Sequence, residues 1–552
     1  LQVHILLLFY CMKIKRKRGY FMRKKIRKLT AVGLTMTSLM SLAACGGNGT
    51  GSAGKSSNEQ NVTKPDSIKV MADTVVGVSN GAEQFYDYLE SITGLKVNWV
   101  RPDHAGYYDA VANAFNSDTT MPDVVQLSSD YYAMYASNGF LWNMTDAWNK
   151  SEPKNSGRMA STSQSVIDSC VIQGEDGKKA LYGLPTTRGG GCVTYVKKAW
   201  LNAAGIDPSD MEDKTMDFET YYGYLKKLKE AKGHYVISAP GFISKEAPYT
   251  NYLPEFYGSA HYTFYQNSSG KYVDGFSEKS MEEALERIRR GVADGIIDKE
   301  TVNNSTGNAR DKFYTTDPSS ESGVFTYWAG KWAYTLKANL EVKGLDGELI
   351  ELKPTKDLGN YTERLPGTWC ITSQCKNPEG TFKYFIEPML DGADGQTAWT
   401  YGAKGTHWDN IAENVTLQGK EDSVSTYKEG EFHLLPSPEK PSTLQQNNNI
   451  DPLLAIARYK DSQATPDGAD PGNAQIPELA QNSIKFFIDN SHVEVALPVT
   501  VALSENITDI NTARNYVISQ TALGYMTISE GMQYYKSTVG SAVEEVLKSL
   551  NN

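Results

Sequence analysis

The sequence predicts an α/β fold built on a mostly parallel sheet, because short strands and amphipathic helices alternate over short links. In the first predicted helix, Phe85, Tyr88, Leu89 and Ile92 recur at helical spacing, and Gly94 follows as a stop. The alternating elements are a strand at 67–71, a helix at 83–92, a strand at 95–100, a helix at 107–116 and a strand at 122–127. Such βαβ units place ligands beyond the carboxyl ends of the strands.

A later helix is predicted at Ser280–Val292 from its apolar stripe and its first turn. Ser280 and Glu283 have the spacing of a capping box, in which each side chain bonds the other residue's backbone N–H. The i,i+4 ion pairs expected on the exposed side of this helix are Glu283–Arg287 and Glu286–Arg290.

The last third of the chain predicts fewer regular elements. A helix begins at Asn377-Pro378, a cap followed by a first turn, and Pro388 should bend its end. Residues 436–475 predict long loops, and residues 541–550 predict a final helix. The residues that the helix after Asn377 should bury are Phe382, Phe385, Ile386, Met389 and Leu390.

Composition predicts a folded body and argues against a nucleic-acid ligand. Apolar residues make up 40% of the chain and charged residues 22%, and the length suggests three domains or two large ones. The formal net charge is −10, although residues 1–44 hold ten Lys or Arg and no acid. The remaining residues therefore carry a net charge of −20, which repels phosphate backbones.

The N-terminal region predicts a secretory signal that ends at a lipid anchor. A basic stretch and an apolar run fill residues 22–44, and Leu42-Ala43-Ala44 stand before Cys45. This ending resembles the bacterial lipobox, whose Cys is lipidated and becomes the first mature residue; an ordinary secretory signal with an incidental Cys is the alternative. We expect residues 1–21 to be sequence that lies upstream of the true translation start. That start would be Met12 or Met22. Residues 45–65 predict a flexible tether.

No catalytic or metal-binding motif emerges from the sequence, so we expect no cofactor and no metal site. The chain has no Cys-x-x-Cys or His-Glu-x-x-His motif. The Asp-rich stretches 391–395 and 467–473 lack the ligand spacing of a calcium loop and predict solvated turns. The sequence allows either disulfide bonds or free buried thiols for four cysteines: Cys170, Cys192, Cys370 and Cys375.

Six stretches in this order resemble the extracellular solute-binding lipoproteins of ABC importers, in the large family that captures oligosaccharides. Each corresponds to a recurring segment of that family, such as the crossing between lobes or the strand that carries a ligand-stacking aromatic. The stretches are 177–188 (GKKALYGLPTTR), 192–207, 270–300, 323–332 (GVFTYWAGKW), 368–390 and 401–408 (YGAKGTHW).

The resemblance implies a two-lobe periplasmic-binding-protein-like fold of type II, each lobe a mixed, mostly parallel sheet flanked by helices. Residues 66–187 plus about 367–400 would form the first lobe, and 188–366 plus about 401–552 the second. The lobes would close on ligand by hinge motion. Gly189-Gly190-Gly191 suits a hinge, since Gly tolerates any change of φ and ψ, although a surface turn explains it equally.

The function implied is non-catalytic capture of an extracellular oligosaccharide and its delivery to the transmembrane subunits of an ABC permease. The protein would be a monomer held at the outer face of the cell membrane by its N-terminal lipid. Sugars stack on aromatic rings and pair their hydroxyls with polar side chains, which suits a chain rich in Tyr and Trp. A surface lipoprotein glycosidase, or the same binding fold with a peptide or other polar solute as ligand, are the alternatives.

Candidate ligand-binding residues come from the strand ends and from the stretches that carry the resemblance. Asp73, Asp130 and Tyr131 follow predicted strands, where a turn or a helix cap is the alternative role. The resemblance adds Trp328, Trp369 and Trp408 as stacking rings, each of which has a core role as its alternative, while Trp332 is expected to pack in the core. Arg188 and His407 complete the polar candidates.

Overall fold

The computed structural model describes residues 62–74, 81–103, 106–155, 161–243, 250–439, 441–442, 477–493, 497–498 and 500–551. The lipobox Cys45, the signal segment and the Asp-rich stretch 467–473 lie outside these residues, as does most of the predicted loop region 436–475. None of the helices in the described ranges combines the length and the apolar character that crossing a membrane requires.

Elements alternate between strand and helix through the first part of the described chain. In residues 62–186 they are β1 (Ser67–Met71), α1 (Ala82–Thr93), β2 (Lys96–Val100), α2 (Tyr107–Phe115), β3 (Val124–Leu127), α3 (Ser129–Ser137), α4 (Thr145–Lys150), α5 (Glu152–Asn155), α6 (Ser161–Ser169), β4 (Val171–Gln173), β5 (Lys179–Leu181) and β6 (Leu184–Pro185). The five elements predicted between residues 67 and 127 are therefore confirmed, with ends that shift by one or two residues.

Helices outnumber strands in the middle of the chain. In residues 187–366 the elements are β7 (Cys192–Lys197), α7 (Lys198–Ala203), α8 (Ser209–Glu212), α9 (Phe218–Lys232), α10 (Pro254–Tyr257), β8 (Phe264–Gln266), β9 (Tyr272–Asp274), α11 (Lys279–Ala293), α12 (Thr306–Tyr314), β10 (Val324–Trp328), α13 (Lys331–Val342), β11 (Leu349–Glu351) and β12 (Tyr361–Glu363).

Two long helices end the chain. From residue 367 onward the elements are β13 (Thr368–Ile371), α14 (Pro378–Thr381), α15 (Asp394–Tyr401), β14 (Trp408–Asp409), β15 (Glu413–Thr416), β16 (Val424–Tyr427), β17 (His433–Leu434), α16 (Glu478–Asp489), β18 (Ser491–Val493), α17 (Val501–Ala522) and α18 (Ile528–Leu550). The final helix predicted at 541–550 thus begins thirteen residues earlier, at a capping box between Thr527 and Glu530.

The first lobe is built on a five-stranded sheet in the order β2-β1-β3-β13-β6. Strand β1 pairs in parallel with β2 and β3, as the βαβ units predict. Strand β13 returns from far along the chain and pairs antiparallel with β3 and with β6. The core on this sheet draws on residues 68–184 and 365–399, so two stretches that are far apart in sequence pack together here.

The second lobe has a smaller sheet in the order β10-β7-β11. Both strand pairings are antiparallel, and only single bridges from Ile237 to Ile297 and Val324 are parallel. The sheet is mixed as predicted, but the prediction that it is mostly parallel is wrong. The three strands are joined through long segments rather than tight turns, so their direction does not follow from a simple strand–helix alternation.

Helix α11 shows where tertiary contacts override local pairing. It begins at Lys279 with Glu278 as its N-cap, so the predicted capping box at Ser280 is wrong. The two predicted i,i+4 ion pairs are also wrong, because the arginines turn to other elements: Arg287 to Asp357 and Arg290 to Glu219.

The segment 377–390 follows its prediction closely. Asn377 caps the helix by accepting the Gly380 N–H at 3.0 Å. The helix then widens to a π turn at Phe382–Ile386 and tightens to a 3₁₀ turn at Glu387–Leu390. Pro388 has no N–H to donate within this last turn, which accounts for the change of helix type. All five apolar residues predicted to be buried here are buried.

The C-terminal helices α17 and α18 belong to the second lobe. They pack against each other and against α11, and residues 502–550 contribute to the second core. Arg514 of α17 is fully buried and donates to Asp274 Oδ1 at 2.7 Å. Its guanidinium also lies 4.7 Å from the centre of the Phe264 ring. This buried ion pair fastens the C-terminal hairpin to β9.

Residues 402–438 form a small unit beside the first lobe. Its core is Tyr401, Trp408, Phe432 and Leu434. A Cβ at Gly81, the N-cap of α1, would lie 2.7 Å from the His407 ring and 3.3 Å from Pro438. The prediction that the second lobe resumes at about residue 401 is therefore wrong for this unit, and the change of lobe lies beyond residue 438.

All four described cysteines are free thiols. Cys170, Cys192 and Cys370 are buried, and Cys375 is partly buried. Burial raises the pKa of the Cys375 thiol to about 11, and burial raises that of Cys170 to about 12. The sequence allowed disulfide bonds or free buried thiols, and the structure has free thiols.

Arg514→Met tests the buried ion pair. The variant leaves the Asp274 carboxylate buried without its cation, so we expect the free energy of unfolding to fall by about 3–5 kcal/mol. Lys485→Met is the control, because the Lys485–Asp489 pair is exposed and should contribute less than about 0.5 kcal/mol. Urea unfolding of both variants measures the difference, and equal effects would show that Arg514 is not a fastening point.

Candidate functional site

Two chain crossings leave the first lobe at the edge where its parallel strands end. Thr368, the first residue of β13, pairs with Leu127 at the end of β3 and with Pro185 at the end of β6. The segments 186–191 and 364–367 therefore start from the carboxyl edge of the sheet. Ligands of open α/β sheets bind at this edge, so the predicted residues Asp73 and Tyr131 lie near the crossings.

The glycine run at 189–191 is required by close packing of the two crossings. A Cβ at Gly189 would lie 1.7 Å from the Arg364 carbonyl oxygen, and a Cβ at Gly191 would lie 2.5 Å from that of Thr362. The Arg364 N–H donates to the Gly190 carbonyl at 3.1 Å. Gly190 has φ +68°, so the run serves a close approach and a left-handed turn together.

Arg188 binds a carboxylate of the other crossing. Its Nε donates to Glu363 Oε1 at 3.0 Å, and its Nη2 pairs with Glu363 Oε2. The Glu363 side chain is fully buried, and that of Arg188 is 11% exposed. Arg188 was predicted as a ligand-binding residue; in the structure its guanidinium neutralises a buried charge and holds the crossings together.

The first lobe presents a stacked pair of tyrosines at this edge. The rings of Tyr108 and Tyr131 lie 3.7 Å apart and nearly parallel, and both side chains are partly buried. The Tyr108 hydroxyl accepts the Ser128 N–H at 2.8 Å. Burial raises the pKa of Tyr108, and the nearby charge of Asp73 raises it further. Asp73 is itself buried.

Tyr108 is a site residue that the strand-end argument missed. It lies in the first turn of α2 rather than after a strand, and only its partner Tyr131 follows β3. A Tyr-Tyr pair in a helix is typical of a core face, so the sequence carried no separate signal for it. Asp130 lies in α3, and its side chain is outside the described residues.

The second lobe contributes Trp328 at the end of β10. This residue pairs with Cys192, the first residue after the crossing, so it lies at the hinge side of the sheet. Its carbonyl accepts the Tyr195 hydroxyl at 2.9 Å. The indole is partly buried, and the guanidinium of Arg364 lies 4.6 Å from its ring centre. The Arg364 guanidinium therefore covers part of the Trp328 ring, and the role of Trp328 as a ligand-stacking ring stays a prediction.

A cavity of about 250 Å³ lies on the second-lobe side of the crossings. It is bounded by the start of β7, by β12 and by the segment around α10. Polar and apolar residues both line it, without Asp, Glu, Lys or Arg, which suits a sugar ring with its C–H faces and hydroxyl groups. The polar residues that line it include Asn251, Ser259, His261, Thr263, Asn360 and Thr362.

Glu255 joins β12 to the second core behind this cavity. Its Oε1 accepts from Thr194 Oγ1 at 2.8 Å and from the Tyr361 hydroxyl at 3.2 Å. Burial raises the pKa of this carboxyl to about 7, although both hydrogen bonds favour the charged form. The group is held by partners on two strands, which is the environment of a structural carboxylate.

Three predicted site residues are core residues in the structure, so their candidacy as ligand contacts is corrected. Trp369 is 3% exposed and packs edge-on against Phe385 and Trp399. His407 is fully buried and accepts the Ala403 N–H at 2.8 Å. The Trp408 indole donates to the Gly402 carbonyl at 2.9 Å. Their ring faces are covered by protein.

Trp332, expected in the core, is only partly buried; its ring meets Tyr327 edge-on and lies 5.2 Å from the Arg310 guanidinium. In the described ranges no three His, Cys, Asp or Glu side chains come together as a metal site requires. At the Asp-rich stretch 391–395, Asp391 accepts backbone N–H groups of Ala393, Gly395 and Gln396 at 2.7–3.2 Å. This carboxylate therefore caps the turn into α15.

Comparison with known proteins identifies the architecture. The family model described as bacterial extracellular solute-binding protein matches residues 77–408. An HMO-binding, ABC-transporter-associated solute-binding protein from Bifidobacterium longum infantis is similar in structure, with a TM-score of 0.59, 13% identity, and coverage of 88% of this chain and 98% of that one. No curated protein matches the chain by sequence.

A second similar structure is an N-glycan transport solute-binding protein from Streptococcus pneumoniae. Its TM-score is 0.54 at 17% identity, with coverage of 88% of this chain and 98% of that one. At such identities the likeness establishes the fold, which is the α/β fold of periplasmic binding proteins, as the sequence predicted.

Gly189→Ala tests the close approach of the crossings. The added Cβ meets the Arg364 backbone, which has no flexible end to move aside, so we expect the free energy of unfolding to fall by about 1–3 kcal/mol. Gly223→Ala is the matched control, since nothing lies within 4 Å of its Cβ and it sits within α9. That change should be neutral or stabilise by about 0.5–1 kcal/mol. Thermal and urea unfolding compare them; equal stability of both variants would contradict the packing.

Proposed function

The chain belongs to the bacterial extracellular solute-binding protein family, and we propose that it captures an oligosaccharide for the permease of an ABC importer. Members of this family are non-catalytic binding proteins. The alternative of a surface glycosidase is therefore wrong. The open question is the solute.

The observation that carries the proposal is the pair of aromatic surfaces beside the crossings. Tyr131, stacked on Tyr108, belongs to the first lobe, and Trp328 belongs to the second. Sugar rings present C–H faces that stack on such rings, and their hydroxyls pair with polar side chains like those of the nearby cavity. Asp73, whose charge acts on Tyr108, completes the proposed site.

The similar structures support the choice of a glycan. One is HMO-binding and the other serves N-glycan transport. A peptide or another polar solute in the same fold remains the competing ligand, and Asp130 remains a predicted contact. In the proposed mechanism the lobes turn about the crossings at 186–191 and 364–367, and ligand bridges the two aromatic surfaces when they close.

The proposal includes how the protein reaches its permease. Lipid on Cys45 would hold the monomeric protein at the outer face of the cell membrane, and residues 46–65 would serve as its tether. The Gly- and Ser-rich composition of that segment supports a flexible link, which would let the folded body meet the transmembrane subunits of the importer.

Tyr131→Ala and Trp328→Ala test the proposed aromatic surfaces. Each should weaken oligosaccharide binding by about 1–3 kcal/mol, or about 5- to 150-fold, because a stacking face is lost. Tyr525→Ala removes a ring that is 76% exposed between α17 and α18 and should leave affinity unchanged. Calorimetric titration across a panel of oligosaccharides and peptides measures the effects. If the protein binds peptides and none of the oligosaccharides, the proposed oligosaccharide ligand is wrong.

Cys45 is predicted to be the mature N-terminus and to carry lipid. The expected result from membrane-extracted protein is a diacylated N-terminal Cys45 peptide in mass spectrometry. A Cys45→Ala variant should lose that lipid. Complete processing of the unmodified protein at a different residue would overturn the assignment.

A further inference from the structure

Arg364 is an exposed arginine held in one orientation at the point where the chain changes lobes. Its Nε donates to the Gly189 carbonyl at 2.9 Å, and its backbone N–H donates to Gly190. The flat guanidinium lies over Trp328, 4.6 Å from the ring centre. Because Nε and one face are occupied, the two terminal amino groups are presented together as a fork.

That fork has no acidic partner in the described part of the chain. No carboxylate oxygen there lies within 4.0 Å of the Arg364 guanidinium, whereas Arg188 next to it is neutralised by Glu363. The chain has 65 acidic residues against 55 basic ones, so acidic side chains are abundant. A positioned arginine left without one of them is suited to an anion from outside the protein.

Arg364 follows closely in sequence on residues that line the cavity. Asn360, Tyr361 and Thr362 line it, and Arg364 is two residues further along the chain. Side chains alternate along an extended strand, so Arg364 is on the same face of the β12 segment as Thr362. Cys192, which also lines it, pairs with Trp328. The arginine and the indole beneath it therefore stand next to a small polar chamber.

The size of the chamber limits what it holds. Its volume of about 250 Å³ is below the roughly 300–1,000 Å³ of pockets that enclose drug-sized ligands. It is suited to one sugar ring rather than a chain. Amide and hydroxyl groups of Asn251, Ser259 and Asn360 offer donors and acceptors for ring hydroxyls.

We propose that the oligosaccharide bound by this protein is acidic, with a terminal uronic acid whose ring enters the cavity and whose carboxylate is held by the Arg364 fork. This inference rests on the proposed function and adds the charge of the ligand to it. Two parallel N–H···O bonds from a guanidinium fit a carboxylate, and the neutral cavity lining fits the hydroxyls of the same ring.

The experiment is calorimetric titration of the full mature protein with three ligands. They are a uronic-acid-terminated oligosaccharide, the same chain with its carboxyl reduced to an alcohol, and a peptide of similar length with a free carboxyl terminus. We expect the acidic chain to bind most tightly. Arg364→Gln should weaken its binding about 10- to 100-fold and change binding of the reduced chain less than about 2-fold.

Two further variants separate charge, geometry and folding. Arg364→Lys keeps the charge but loses the fork, so its affinity for the acidic chain should lie between those of wild type and Arg364→Gln. Arg310→Gln is the matched control, because Arg310 also lies against a tryptophan, 5.2 Å from the Trp332 ring centre, but belongs to α12 rather than to a crossing. It should leave both affinities unchanged. Thermal unfolding confirms that each variant is folded.

The outcomes distinguish this inference from the proposed function. Equal binding of the acidic and reduced chains by wild type, or unchanged binding of the acidic chain by both Arg364 variants, overturns the inference and leaves oligosaccharide capture standing. Binding of the peptide with no binding of either glycan overturns both. An equal loss in Arg310→Gln shows a general charge effect and also overturns the role of Arg364.

Discussion

The buried carboxylate of Glu363 is the constraint on which the two-lobe arrangement depends. A fully buried charge is tolerated only with a partner, and Arg188 of the other crossing supplies it. That pairing keeps the two crossings side by side. Residues with side chains would not fit between backbones so close together, so Gly189 and Gly191 follow from the same contact. This joint is where the proposed rotation of the lobes would take place.

The same joint sets where ligand chemistry is available. The charge of Arg188 is paired with Glu363. The Arg364 side chain is instead held in place by the Gly189 carbonyl and the face of Trp328. The two crossings therefore place a neutralised arginine, Arg188, and an arginine without an acidic partner, Arg364, at the same joint. The stacked tyrosines of the first lobe stand at the edge from which the crossings leave. The joint of the two crossings therefore brings the aromatic rings, the cavity and the Arg364 guanidinium into one region.

Sequence patterns were most reliable where local rules and burial agree. The alternation over residues 67–127 and the buried face of 377–390 were predicted, because each element is short and its apolar period is clear. Sequence patterns failed where side chains from distant segments compete with neighbours on the same helix. Arg287 and Arg290 of α11 prefer acids on other elements to the glutamates one turn away. The three tryptophans chosen by resemblance likewise differ in position. Trp328 lies beside the crossings, whereas Trp369 and Trp408 are buried in cores.

By itself the sequence determined the α/β class and the placement of Asp73 and Tyr131 at strand ends. These follow from the period of apolar residues and from the direction of parallel strands, which are local properties. Only the tertiary structure decided that Trp328 lies at the joint while Trp369 and Trp408 are covered, that Tyr108 completes the tyrosine pair, and that Arg364 keeps its charge available. The reason is that exposure and charge pairing depend on which distant segments meet, and periodicity carries no record of those contacts.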